Sequence, residues 1–134
     1  MKRRALSMVA LAFSAVALAG CSLLQGSAKA DACATLRPMV TSVESQMRSV
    51  SSEPVTKEVI DAHAPAVDEL LDEMRRVAGP DDLKALVGDY AEKTKGVVSA
   101  AGQATSGGST APLIVAQSNV VLAMGRLFEY CEWR

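Results

Sequence analysis

Apolar residues recur at alternating spacings of three and four in four successive stretches of the chain. The first holds Cys33, Leu36, Val40, Val43, Met47 and Val50, and the second Ile60, His63, Val67, Leu70, Met74 and Val77. The third holds Leu83, Val87, Tyr90, Thr94, Val97 and Ala101, and the fourth Leu113, Ala116, Val120, Met124, Leu127 and Cys131. A period near 3.6 puts each set on one face of an α-helix, and no comparable stretch alternates with the period of two that a strand needs. An all-α domain is predicted, with helices over about 33–50, 54–78, 80–102 and 111–132. Four such helices joined by short connections favour an antiparallel up-down-up-down four-helix bundle.

The breaks between stretches carry capping chemistry. Ser51–Pro54, Gly79–Pro80 and Ser109–Pro112 each place a cap residue ahead of a proline, which the first helical turn tolerates because its N–H has no partner there. Asp81 and Asp82 put negative charge at the start of the third helix, where the helix dipole favours it. Gly102 and the Gly107–Gly108 pair punctuate the last connection. Glu44/Arg48, Asp72/Arg76 and Asp89/Lys93 are spaced to pair along a helix face. Pro38 is expected to mark the start of the regular part of helix one. Pro65 falls inside helix two and is expected to kink it, freeing the carbonyl of Asp61.

Ahead of the helices stands a different kind of segment. Lys2, Arg3 and Arg4 are followed by an apolar run from Ala5 to about Ala19, interrupted only by Ser7 and Ser14. This is the layout of an export leader, too short to cross a bilayer as a helix. It ends in Leu18-Ala19-Gly20-Cys21, which resembles the lipobox of bacterial lipoproteins. The resemblance covers residues 1–22 only. It implies cleavage before Cys21, lipid on the Cys21 thiol and new amine, and a domain held at the extracytoplasmic face of the cell membrane. Residues 1–20 are then a cleaved signal peptide, 21–30 a lipidated flexible tether and 31–134 the folded domain. Ser22 does not resemble the Asp that retains some lipoproteins at an inner membrane. Removing the leader leaves 11 basic and 15 acidic residues, a net charge of −4. That balance argues against nucleic acid as a partner and against a basic hold on anionic lipid.

With Cys21 assigned to lipid by that resemblance, two cysteines remain in an oxidising compartment. Cys33 opens helix one and Cys131 closes helix four, and in the expected topology both ends share a pole. A Cys33–Cys131 disulfide is predicted.

Counting along each helix from that pole brings Met47, His63, Thr94 and Gln117 to nearly one height. These form a candidate buried polar layer. Such a layer fixes helix register when its groups satisfy one another. Its alternative use is as a ligand or metal site, for which His63 and Met47 are suitable residue types. One His and no Met-x-Met or Cys-x-x-Cys-His cluster make a closed metal site a poor fit, and neither metal nor cofactor is expected. The acidic residues Asp68, Glu69, Asp72 and Glu73 lie beside Arg75 and Arg76 and suit a solvated ion-pair face. No Walker loop, dinucleotide fingerprint, zincin motif or nucleophile elbow occurs, and no enzymatic activity is expected. Near the C-terminus, Tyr130 and Trp133 have two open uses: covering the disulfide or contacting a partner.

The sequence thus points to a non-catalytic interaction or structural module of the cell envelope with an envelope protein as partner. The other reading is a carrier of a small apolar or lipid-like ligand between the helices.

Overall fold

The computed structural model describes residues 16–52 and 54–134, with side chains from Gly26 onward. The expected leader lies mostly in residues 1–15, outside the described residues, as does the side chain of Cys21. Among the described residues there are four α-helices and no strand: α1 (Val16–Ser51), α2 (Lys57–Arg76), α3 (Asp81–Thr105) and α4 (Ala111–Tyr130). The all-α class and the four helices agree with the periodicity.

Local chemistry sets the boundaries, and three of the four helix starts differ from expectation. α1 runs through residues 21–30, where a flexible tether was expected. Ala, Leu, Gln and Lys dominate that stretch, and all are good helix formers. α2 starts at Lys57 instead of Pro54, because Thr56 is its N-cap and accepts a hydrogen bond from the Val59 N–H (3.3 Å). Pro80 sits at the N-cap position of α3 and not inside its first turn. α2 is continuous from Lys57 to Arg76 with Pro65 inside it. Asp61, whose carbonyl would have paired with an N–H at position 65, is exposed, so water can serve that oxygen.

Two helix ends are closed by the same device. After α3, Gly107 takes φ +84° and the Gly108 N–H reaches back to the Gln103 carbonyl (3.1 Å). A Cβ on Gly108 would stand 2.7 Å from that carbonyl oxygen. After α4, Glu132 takes φ 54°, the Trp133 N–H bonds the Phe128 carbonyl (3.0 Å) and the Glu132 N–H bonds the Glu129 carbonyl (3.2 Å). This is a Schellman turn with Glu at the left-handed position, and it brings Trp133 onto Phe128, its usual apolar companion contact.

Packing follows chain order: α1 lies on α2, α2 on α3 and α3 on α4, with α1 also touching α3. The interior divides into two clusters. One gathers Cys33, Leu36, Val40 and Val43 of α1 with Leu71 and Met74 of α2, Leu83 and Tyr90 of α3, and Ala123 and Leu127 of α4. The other joins Val50, Ile60, Val97, Ala100, Ala101 and Leu113. α3 is the central helix, and its whole predicted face (Leu83, Val87, Tyr90, Thr94, Val97, Ala101) is buried. In α2 Ile60, Val67 and Met74 are buried as predicted, but the buried leucine is Leu71, while Leu70 is only half-buried. Full burial of each Leu or Val contributes about 1.5–3 kcal/mol.

α4 is seated differently. Among the described residues its backbone comes close to α3 alone, across small side chains such as Ala100, Ala101 and Ala123. Only Leu113, Ala123 and Leu127 of α4 are fully buried. Its outer side carries Ile114, Val115, Val121 and Leu122, each 60–63% exposed.

Candidate functional site

The Cys33–Cys131 disulfide is formed, with 5.6 Å between the two Cα atoms and 98 positions between them in sequence. Cys33 is buried in the larger cluster, and Cys131 packs at its edge. Phe128 and Trp133 stack edge to face beside the bridge, with centroids 5.1 Å apart. Tyr130 lies under the Lys29 ammonium (4.6 Å to the ring centroid). The Arg37 guanidinium donates to the backbone carbonyl of Arg134 (3.1 Å). Of the two residues with open roles, Trp133 packs on Phe128 at the turn and Tyr130 faces Lys29, and both stay partly exposed. Two open clefts flank this pole. One of about 580 Å³ is lined by Cys33, Arg37, Cys131 and Trp133, and one of about 650 Å³ by Lys29, Gly79, Asp81 and Tyr130.

The four residues of the candidate polar layer make separate contacts. Thr94 is fully buried, and its hydroxyl donates to the Tyr90 carbonyl one turn back (2.8 Å), so it is satisfied within α3. His63 is half-buried, with Nδ1 2.6 Å from Oε1 of Gln46 on α1. The amide oxygen can only accept, so Nδ1 carries the proton. Met47 packs against both core clusters. Gln117 lines a third open cleft of about 630 Å³ with Ser51, Val55, Thr110, Leu113 and Ile114. No hydrogen bond links His63, Thr94 and Gln117 to one another. Of these four residues, His63 makes a polar contact to another helix, through Gln46, which the sequence reading passed over because it sits beside the apolar stripe and not on it. Among the described residues, no three His, Cys, Asp or Glu side chains gather in a way that could hold a metal ion.

Tyr90 is a second residue missed as a polar group. It is 1% exposed. Burial pushes its phenol pKa up to about 12, the Glu44 carboxylate adds to the shift, and the Thr94 hydroxyl partly offsets it. A neutral phenol is what an apolar interior favours.

The carboxylates of the acidic face serve neighbouring helices. Lys95 of α3 lies between Asp68 (3.7 Å) and Asp72 (3.8 Å) of α2, and Arg126 of α4 pairs with Asp89 of α3 (3.6 Å). Asp72 also meets Arg75 (3.9 Å). The expected pairs Asp72/Arg76 and Asp89/Lys93 give way to these, because the same carboxylates reach cations across a helix interface. All are substantially exposed, which limits each to a fraction of 1 kcal/mol or about that.

The exposed apolar stripe of α4 is the surface feature that the sequence reading did not anticipate. α4 is apolar on nearly all sides, so periodicity alone could name an inner face without showing that the outer one stays bare. By length and composition α4 could also cross a membrane. In the structure it packs on α3, with Leu113 and Leu127 buried and Arg126 paired with Asp89.

The chain matches no protein-family model, no curated protein and no solved structure.

Proposed function

We propose that this chain is an exported lipoprotein, anchored through lipid on Cys21 to the extracytoplasmic face of a cell membrane, whose helical domain is a non-catalytic interaction or structural module of the cell envelope. The observation that carries the reading is the ordered set Lys2-Arg3-Arg4, apolar run and Leu18-Ala19-Gly20-Cys21. The Cys33–Cys131 bridge supports it, since such bonds persist in oxidising compartments. Two or more acyl chains hold a protein stably at a bilayer.

The domain's topology in this reading is up-down-up-down, with both chain ends at the cysteine pole. Its support lies in the two clusters. Leu113, early in α4, shares a cluster with Val50, late in α1, whereas Leu127, late in α4, shares a cluster with Cys33 and Leu36, early in the α1 face. The interaction role is favoured over a ligand carrier because the clefts lie open at the surface while the interior is filled by Leu, Val, Met and Ala.

Metabolic labelling of cells expressing the full chain with a fatty-acid probe tests the anchor. Label should enter the chain and be lost in Cys21→Ala. Label retained by that variant would overturn the proposal.

A further inference from the structure

The bare stripe of α4 has an internal symmetry. Taking Ser118 as origin, each exposed residue on one side has a counterpart at the same distance on the other: Val115 and Val121, Ile114 and Leu122, Ala111 and Gly125. Even the flanking amides match, Gln117 with Asn119. At 100° per residue, Ala111, Ile114, Val115, Ser118, Val121, Leu122 and Gly125 all fall within about 60° of Ser118 on the helix wheel. All seven are exposed.

An antiparallel twofold contact can use such a stripe, because residues equidistant from the axis meet across it, i on j and j on i. When two antiparallel helices cross with the axis at Ser118, Ile114 of one lies level with Leu122 of the other, and Val115 with Val121. We propose that α4 is the interface of a symmetric homodimer, formed by antiparallel pairing of the two α4 helices about Ser118.

Three further features fit a second copy of the chain. There is no charged residue from Gly96 to Gly125, so the stripe itself sets no like charges against each other when it meets a second copy. The Ser118 hydroxyl, which would lie at the axis, already donates to the Ile114 carbonyl (3.0 Å), so covering it strands no donor. A Cβ on Gly125 would have no neighbour within 4 Å, leaving room for an approaching helix.

The area also fits. Four large side chains exposing on the order of 100 Å² each give about 400 Å² per copy, or about 800 Å² for the pair. Ala111, Ser118 and Gly125 bring the total near the roughly 1,000 Å² at which specific association begins, which describes a reversible dimer. A bilayer surface suits the stripe less well. From Ala111 to Gly125 it has no Lys, Arg, Trp or Tyr with which interfacial helices hold headgroups. The inference goes beyond the proposed function and stands whether or not Cys21 carries lipid.

Added cysteines in the full chain test the geometry, each compared with the parent chain under mild oxidation. Ser118→Cys should give a reducible covalent dimer much faster than Ser99→Cys, an exposed position on α3. Ile114→Cys alone should link slowly, because its own copy is eight residues away along the pair. A mixture of Ile114→Cys and Leu122→Cys chains should link quickly. In sedimentation, Val121→Glu should weaken the dimer by about tenfold or more, while the melting temperature at a dilution where the parent is monomeric stays unchanged. The proposal is overturned if Ser118→Cys links no faster than Ser99→Cys. Equal self-linking of Ile114→Cys and Ser118→Cys, a chain monomeric at about 100 µM, or a dimer that survives Val121→Glu would each overturn it too. So would a monomer that binds phosphatidylcholine vesicles through this face, with Val121→Glu abolishing the binding.

Discussion

Replacing both bridged cysteines, Cys33→Ala with Cys131→Ala, removes the cross-link without leaving a reactive thiol. The bond joins residues 98 positions apart. For a closed loop of about 100 residues, lost denatured-state entropy makes the bridge worth about 4.7 kcal/mol. Truncating Cys33, 5% exposed and packed with Leu36 and Leu83, adds a smaller packing loss. A domain near 100 residues shifts by about 4–8 °C per kcal/mol, so a net loss near 5 kcal/mol lowers Tm by about 20–40 °C. Thermal melts followed by circular dichroism read this directly. Reductant should lower the Tm of the parent chain toward that of the double variant and leave the variant unmoved. Urea melts add an independent check, since a denatured chain without the cross-link exposes more surface and should raise the m-value. A double variant within about 5 °C of the parent, at an unchanged m-value, would refute the reasoning, because a loop this long cannot be opened in the denatured state at so small a cost.

Two further outcomes follow from burial. The Tyr90 phenol, pushed up to about 12 from an ordinary 10, stays protonated in the folded chain while the unfolded chain loses its proton. Its contribution is therefore whole below pH 10 and drains away between pH 10 and 12 by about 1.4 kcal/mol per pH unit. Tyr90→Phe should flatten that part of the stability profile, and equal slopes for parent and variant in urea melts at pH 9.5 to 11.5 would count against it. Leu71→Ala should cost about 2–5 kcal/mol, and Leu70→Ala, at a half-buried position, clearly less. Equal losses in denaturant melts would show that the α2 face is misassigned.

The sequence was most legible where one face alone was apolar. In α3, charged and polar residues such as Lys84, Asp89 and Glu92 fill the outside, so the six-residue stripe from Leu83 to Ala101 admits one reading. Leu70 and Leu71 are adjacent and chemically identical, and only the tilt of α2 against its neighbours selects between them. α4 offers almost no polar contrast, and its outer face could be told from its inner one only with α3 in place. Helix ends divided in the same way. Gly107 announced its turn, whereas Glu132 adopts a left-handed conformation that Glu seldom takes, held by the hydrogen bonds and the Phe128–Trp133 contact beyond it. The cysteine pairing was legible because the first cysteine had already been assigned to another chemistry. The polar layer was less so. Equal height along four helices says nothing of which way each side chain turns, and Thr94 turned to its own backbone while His63 found Gln46.

The uncharged run between Lys95 and Arg126 has a practical corollary for anyone digesting this protein. Trypsin finds no cleavage point inside it, and an acid-directed protease none between Glu92 and Glu129. The hairpin of late α3, its glycine turn and most of α4 therefore leaves a tryptic digest as one 31-residue peptide, Gly96 to Arg126. Mass spectrometry of that single peptide then reports on the whole stripe at once, whatever has been attached to it.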